Sequence, residues 1–510
     1  MEATDTQILR TARREIVSIN PATMAEIGRV PIFSSDDVNH AVNKARAAQP
    51  AWAALTFAER ARYILKAKDL LLDRQDGICE LISQEVGKPA VEAMTSEVLP
   101  VANLMDYFAR KSAKLLRDER FTLSVFRNKK SRISFNPFGV VGIISPWNYP
   151  FSIPTGEVVM GLMAGNAVLL KPSEFTPLVG LKIGELFRAA GLPDGILQVL
   201  TGDGATGAAL VDAAINKIFF TGSVRTGRKI AETAARRLMP FVLELGGKDA
   251  MIVCADAPFE RTVNGALWGA FSNCGQACAS VERLYVVESI AEKFINVVVE
   301  KTKMLRVGID GKEQKDIGSL TNANQLRIVT EHVNDAVAKG ARVLTGGRRI
   351  ESLPGYFYEP TVLVDVNDSM RVMQEETFGP VLPIVVVKDD AEAIGEANRS
   401  KFGLLASVWT KDTNRGKQIA AQVQAGTVII NDVIYTHGAA ETPWFGVKES
   451  GFGVTHSKHG LREFVQMKHI NWDVLPMKTN PWWYPYSEKK RRDFKLLAKV
   501  LHKWGLKKWI

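Results

Sequence analysis

The stretch NPFGVVGIISPWNYPF, residues 136–151, runs from a Pro-Phe-Gly turn through an unbroken apolar segment into Ser-Pro-Trp-Asn. GVVGIISP has the length and β-branched content of a strand buried on both faces, with none of the polar alternation that leaves one face wet. The same signature recurs in NAVLLKPS, GILQVLTG and KIFFTGS, with helix-like segments between them. Strands of this kind alternating with helices predict a parallel, doubly wound α/β sheet. A second series, LELGGKDAMIV, RLYVVE, PTVLVDV, VLPIVVV and GTVIIND, predicts another α/β domain. Nearer the start, VSINPAT predicts an edge strand. SSDDVNHAVNKARAAQPAWAAL and ERARYILKAKDLLLDRQ predict helices, the first opened by a Ser/Asp cap.

Composition bounds the possibilities. With 510 residues, 46% hydrophobic and 24% charged, the chain is long enough for two or three domains with substantial cores, and disorder is excluded for most of it. Four cysteines are too few for a disulfide framework, and MEATDTQILRTARRE lacks the apolar centre of a secretory signal. Free thiols and a reducing, cytoplasmic location are expected. No run has the ~18 apolar residues that cross a bilayer. The net charge of +10 is concentrated at one end: residues 476–510 hold ten Lys and Arg against two Asp and Glu. The remainder is nearly neutral and carries no nucleic-acid-binding motif, so nucleic acid is not an expected partner.

Several segments carry candidate chemistry. FFTGSVRTG places Gly222 and Ser223 where a strand gives way to a helix, whose N-terminal amides suit a phosphate. The spacing is not the dinucleotide GxGxxG fingerprint, so on this motif alone a plain tight turn is the favoured reading. Asn148 follows a strand end, where open α/β sheets bind ligands. Its amide suits a developing oxyanion, and a simple loop cap is the alternative. Lys171 and Glu174 follow the next strand, and a carboxylate there suits ribose hydroxyls and repels a 2′-phosphate. Glu244 stands among Leu243, Leu245 and Gly-Gly, where burial gives either a general base with a raised pKa or a structural ion pair with Lys248. FSNCGQACAS holds Cys274 and Cys278, two of the four cysteines. No CxxC pair or histidine cluster accompanies them, so no metal site is expected. A reactive thiol and a pair of inert core cysteines both fit.

Taken together and in order, NPFGVVGIISPWNYPF, GNAVLLKPSE, FTGSVRTG, LELGGKDA, GQACAS, EETFGPVLP and PWFGVKESGFG resemble the successive motifs of the NAD(P)-dependent aldehyde dehydrogenase superfamily, over residues 17–475. The resemblance implies a Rossmann-type dinucleotide-binding domain (1–118 and 138–243), a catalytic domain (244–465) and oligomerisation strands (119–137 and 466–475). It implies Cys278 as nucleophile, Glu244 as general base, and Asn148 with the Cys278 backbone amide as the oxyanion site. For the cofactor, NAD with NADP as the alternative, it implies contacts from Trp147, Lys171, Glu174, Gly222, Ser223, Glu376 and Phe378. The substrate is a small-molecule aldehyde, oxidised to the acid through a thiohemiacetal and a thioester, and the assembly a homodimer or homotetramer. Cys274 receives no role.

Two departures from the family pattern bear on the substrate pocket, to which the resemblance assigns Tyr149, Gly156 and Trp444. A Trp-Lys pair is frequent eight and nine residues after the oxyanion Asn, where this chain has Gly156 and Glu157. Loss of the indole is expected to widen the tunnel, and Trp444, where a smaller aromatic is usual, to refill it in part. A bulky, aromatic or medium- to long-chain aldehyde is therefore expected. Arg225 stands where an acidic residue is frequent in the phosphate turn.

Residues 476–510 lie outside the resemblance. A 100° step gathers Phe494, Leu497, Val500, Leu501 and Trp504 on one arc, opposite Lys495, Lys499 and Lys503. With Trp482, Trp483, Tyr484 and Tyr486 ahead of it, this pattern predicts a helix lying on an anionic membrane surface. Docking on the enzyme itself is the alternative. A catalytically silent membrane-surface scaffold is the competing reading of the whole chain, separated from an enzyme by turnover of hexanal or benzaldehyde with NAD.

Overall fold

The structure is a computed structural model that describes residues 14–126, 128–309, 311, 314–475 and 477–503. A six-stranded sheet is built from Val140–Ile144, Ala167–Lys171, Leu197–Val199, Lys217–Thr221 and Phe241–Glu244, all parallel, with Gly451–Phe452 added antiparallel beside the last. VVGII and AVLLK are buried at every position, as strands covered by helices on both faces must be. The helix Ser152–Met163 is also buried at all twelve positions, so its polar residues, Glu157 among them, face protein rather than water.

A second sheet of seven strands has Val281–Val287 near its centre, flanked by Asp249–Val253 and Val381–Val387. Only Arg342–Thr345, at one edge, runs antiparallel to its neighbour. LELGGKDAMIV thus holds parts of two strands. Glu244 ends a strand of the first sheet, Asp249 begins one of the second, and Gly246-Gly247 lies in the connection. The chain passes from one sheet to the other just after the residue expected to be the base. Leu405–Trp409, which the periodicity does not single out, is a fully buried strand of the second sheet.

The first helices form as their signals dictate. Ser34 and Asp37 make a reciprocal capping box for Ser35–Ala54, and Thr56 and Glu59 do the same for Phe57–Asp73. VSIN lies in a two-stranded antiparallel sheet, Glu15–Ile19 with Glu26–Pro31. Lys129–Pro137 pairs antiparallel with Val465–Asp473 over nine residue pairs and with Glu119–Thr122 on its other side. This arm leaves Phe121, Met467 and Trp472 exposed.

Beyond the arm, Trp482 packs edge-on against Phe126 at 5.1 Å, and the helix Glu488–Ala498 buries none of its side chains. Phe494, Leu496 and Leu497 are exposed, whereas Leu501 is buried. Trp504 lies outside the described residues. Among the described residues no helix is long and apolar enough to cross a membrane, and no group of three or more His, Cys, Asp or Glu side chains is arranged to hold a metal ion.

Candidate active site

A small cavity of about 20 Å³ has Cys278, Glu244, Glu157, Trp444, His437 and His456 in its wall. Ile153, Met160 and Leu245 make most of the remainder apolar. The helix Phe259–Phe271 leads into a tight turn at Ser272–Gly275, after which Cys278 hangs from an irregular loop ahead of Val281–Val287. Asn273 and Cys274 both take left-handed backbone conformations, φ 50° and 56°, uncommon for residues with side chains.

That turn is held by a dense set of hydrogen bonds. Both carboxylate oxygens of Glu92 accept the Asn273 backbone N–H at 3.0 Å. Asn273 Nδ2 donates to the carbonyls of Asn148 (2.9 Å) and Gln276 (3.1 Å), and Gln276 Oε1 accepts from Thr321 N. Burial raises the Glu92 carboxyl to about 7, and the Asn273 N–H and the Lys88 charge act against that rise.

The two cysteines separate clearly. Cys274 is 1% exposed and belongs to the core of the second domain, whereas Cys278 is only half-buried and faces the cavity. Burial, reinforced by the nearby Asp249, Glu376 and Glu244 carboxyls, pushes the Cys278 thiol up. Its proton must therefore pass to a base before the sulfur can attack.

Glu244 has no cation beside it. Lys248 pairs instead with Glu282 in a fully buried ion pair, and Glu282 also accepts the backbone N–H groups of Thr377 and Phe378. Neither carboxylate oxygen of Glu244 has a hydrogen-bond partner, although both are sealed from solvent. Burial raises its pKa well above the ordinary value, the Glu157 carboxyl adds to the rise, and the Trp444 side chain offsets part of it from outside hydrogen-bonding geometry.

Asn148 follows the strand Val140–Ile144 and donates Nδ2 to the Gln276 carbonyl at 3.1 Å, which brings its amide to the nucleophile loop. Its backbone carbonyl accepts from Lys88 Nζ at 2.8 Å. Lys88 is itself buried, paired with Glu97 at 2.7 Å and seated 4.0 Å from the centre of the Tyr149 ring. Glu97 in turn accepts the backbone N–H groups of Phe151 and Ser152. No local pattern announces this bracing, because Lys88 and Glu97 reach Asn148 and Phe151 only through the fold.

A Cβ on Gly156 would sit 3.2 Å from Leu104 Cδ1 and 4.0 Å from Nε2 of His456, a residue of the cavity wall, so a side chain here would press on Leu104. Ile153, Glu157 and Met160 are the residues of that helix that reach the cavity. Tyr149 carries Lys88 Nζ over its ring at 4.0 Å, and burial, with the nearby Cys278 charge adding to it, raises its hydroxyl.

At the carboxyl ends of the first sheet, the residues present fit a dinucleotide. Ser223 caps Val224–Arg236 and accepts from Thr226 N, leaving a helix N-terminus open to a phosphate. A Cβ on the preceding Gly222 would lie 2.6 Å from the Phe220 ring, so only glycine keeps this turn low. Lys171, buried, meets the half-exposed Glu174 at 3.3 Å. Thr221 Oγ1 and Ser145 Oγ, also at strand ends, are buried without partners. Across the cleft, Trp147 and Phe378 pack edge to face at 5.3 Å, and Glu376 accepts the Gly247 N–H at 3.0 Å.

Two mainly parallel sheets, a glycine turn opening a helix, and a cysteine lining one cavity with an unpartnered carboxyl define an α/β protein with a candidate thiol site. The chain belongs to the aldehyde dehydrogenase family, which matches residues 8–470. It is 40% identical to a 4,4′-diapolycopene aldehyde oxidase of a Methylomonas species, over 94% of this chain and 90% of that one. It is 39% identical to a putative NADP(+) succinate-semialdehyde dehydrogenase of Mycobacterium ulcerans, over 86% and 85%. Among solved structures, an NAD-dependent aldehyde dehydrogenase from Sinorhizobium meliloti superposes with a TM-score of 0.88 at 36% identity, covering 92% of this chain and 93% of that one. The NAD+ complex of a Bacillus cereus aldehyde dehydrogenase gives 0.87 at 33%, covering 91% and 94%.

Proposed function

We propose that this aldehyde dehydrogenase oxidises a bulky, aromatic or medium- to long-chain aldehyde to its carboxylic acid, with NAD preferred over NADP. The observation that carries the substrate class is the cavity wall: Ile153, Met160, Leu245 and Trp444 offer apolar surface, and among the described residues no Lys or Arg lines it. A second carboxylate on the substrate, as in succinate semialdehyde, would meet Glu157 and Glu244 without a cation to receive it. Each buried methylene adds about 0.8 kcal/mol, so binding strengthens with chain length until the cavity is filled. A panel graded by chain length and aromaticity, ranked by kcat/KM with succinate semialdehyde included, tests this. A preference for succinate semialdehyde would overturn it.

In this reading Cys278 loses its proton to Glu244 and adds to the carbonyl carbon, and Asn148 Nδ2 with the Cys278 backbone N–H receives the oxyanion. Trp147, Phe378 and Glu376 would hold the nicotinamide, which when bound would supply the hydride acceptor. After releasing the thiol's proton to solvent, Glu244 takes a proton from water as the water oxygen adds to the thioester carbon, and it gives that proton to the departing Cys278 thiolate as the acid leaves. Lys171 and Glu174 take the adenosine ribose, where the Glu174 carboxylate favours two free hydroxyls over a 2′-phosphate. Gly222 and Ser223 receive the pyrophosphate at the helix N-terminus.

The arm Lys129–Pro137 with Val465–Asp473 serves oligomerisation into a dimer or tetramer. Support comes from its unpaired edges and exposed Phe121, Met467 and Trp472, which a monomer would leave open to solvent. Residues 476–510 serve as a surface anchor for anionic membrane. Trp483, Tyr484 and Tyr486 are exposed ring types favoured at headgroup depth, and exposed Phe494 and Leu497 adjoin the cluster of Lys489, Lys490, Arg491 and Arg492. A lipophilic aldehyde would then reach the enzyme from the bilayer.

A further inference from the structure

Ahead of Cys278, three residues in succession hold left-handed backbone: Asn273 at φ 50°, Cys274 at 56° and Gly275 at 71°. Glycine enters this region freely, whereas Asn and Cys enter it against the crowding of their own Cβ. Such a turn persists only where its surroundings over-determine it. Space does this for Gly275, because a Cβ there would collide with the Gly379 carbonyl. Hydrogen bonds do it for Asn273. The acceptor of its backbone N–H is a side chain far away in sequence, Glu92, with both carboxylate oxygens at 3.0 Å.

Glu92 stands on the short helix Ala90–Ala93, which runs into a π turn, Met94–Val98, closed by a bond from Leu99 N to the Met94 carbonyl. Glu97 lies within that turn. In a regular α-helix the spacing from Glu92 to Glu97 sets two side chains about 140° apart, and the extra residue of a π turn brings them back toward one side. Both reach one site. Glu97 pairs with Lys88 and accepts the backbone N–H groups of Phe151 and Ser152, and Lys88 Nζ donates to the Asn148 carbonyl at 2.8 Å. The same carbonyl accepts Asn273 Nδ2 at 2.9 Å. From Asn273 the path to the nucleophile is short. Gln276 donates its backbone N–H and its Nε2 to the Asn273 carbonyl, each at 3.0 Å, and its own carbonyl accepts Asn148 Nδ2 at 3.1 Å.

We propose that Glu92 is a positioning residue for the oxyanion site. By holding the Asn273 N–H it sets the left-handed turn, and with it the direction of the Cys278 backbone N–H relative to Asn148 Nδ2. Lys88 and Glu97 fix one donor and Glu92 the other, so residues 88–97 brace both halves of the site. Glu92 is not part of the cavity wall and acts through the loop alone. Without it the Asn273 N–H loses its acceptor, and the turn relaxes toward ordinary backbone and carries the Cys278 amide off line. The assignment rests on Asn148 and the Cys278 amide receiving the oxyanion.

The test follows two reactions of Cys278 in the full-length enzyme and in Glu92→Ala, Glu92→Gln, Asn148→Ala and the double variant Glu92→Ala/Asn148→Ala. In acylation by p-nitrophenyl acetate the thiolate adds to the ester carbon through a tetrahedral oxyanion and p-nitrophenolate leaves, with no cofactor needed. Alkylation by iodoacetamide displaces iodide at a saturated carbon and forms no oxyanion. The mass of the Cys278 peptide reports its rate.

Acylation of Glu92→Ala is expected to fall about 30-fold, somewhat less than the loss of a whole oxyanion donor. Its alkylation should stay within about twofold of the parent, since that reaction needs only the thiolate. Glu92→Gln, which keeps an acceptor for the Asn273 N–H, should recover acylation to within about threefold. The double variant should be little slower than Asn148→Ala, because both changes act on one oxyanion. Normal acylation in Glu92→Ala beside a slow Asn148→Ala would overturn the role of Glu92 and leave the oxyanion site standing. Equal loss of acylation and alkylation, a Gln variant as slow as Ala, or losses that multiply in the double variant would also overturn it. Normal acylation in Asn148→Ala would remove the oxyanion reading itself, and the role of Glu92 with it.

Discussion

A Cβ placed on Gly247 would lie 2.2 Å from the carbonyl oxygen of Cys278. The connection between the two sheets therefore runs in contact with the backbone of the nucleophile, closer than any side chain permits. Gly247→Ala is expected to displace the Cys278 loop by a few tenths of an ångström or more and to slow acylation about 10²-fold. A stopped-flow burst of reduced cofactor measures this directly, and a burst of normal rate would show that the loop yields without cost.

Cys278→Ala should abolish aldehyde oxidation, a loss of about 10³-fold or more, because the other cysteine near it is sealed in the core. Cys274→Ala should retain most of the activity and lose about 1 kcal/mol of stability from the small void it leaves. A reversed outcome would place the nucleophile at Cys274.

Glu244→Gln should still give a burst of reduced cofactor, followed by slow release of the acyl group. The amide fills the same space but cannot take a proton from water. Because the raised Cys278 thiol also needs a base, the burst is expected to be slower than in the parent. Complete loss of the burst would assign Glu244 to thiol activation alone.

Glu174→Gln should raise kcat/KM for NADP relative to NAD about tenfold, since removing one half-exposed negative charge relieves repulsion of a 2′-phosphate. Equal specificity constants for the two cofactors in the parent enzyme would refute the role given to Glu174.

A chain stopped after Leu475 should stay in the supernatant when mixed with anionic vesicles at low salt, while the full chain sediments. Each basic residue near the surface contributes roughly 1 kcal/mol, so raising the salt should release the full chain. If both remain in the supernatant, the helix Glu488–Ala498 docks on protein instead.

The α/β fold is legible in the sequence because strands such as VVGII and AVLLK are apolar throughout, and helices such as Ser35–Ala54 announce their own starts with a capping box. Periodicity cannot see a chain change sheets, so LELGGKDAMIV reads as one strand although the Gly-Gly connection divides it. The motif residues are visible one by one, but their bracing is not. Lys88 reaches the Asn148 carbonyl across 60 residues of chain, and no local spacing encodes that. The Gly156 expectation shows the same limit from the other side. A missing side chain says nothing of room until its neighbours are known, and here Leu104 Cδ1 lies 3.2 Å from where a Cβ would stand.

Glu244 terminates a strand of one sheet, whereas Cys278 hangs from a loop leading into the other. A chain in which only one domain has folded would own a base without a thiol to serve, or a thiol without its base. Reactivity toward aldehydes is thus an assay of domain docking. In mild denaturant it should vanish while both sheets still give their full circular dichroism, and a nascent or damaged chain would stay chemically silent until its two halves close on each other.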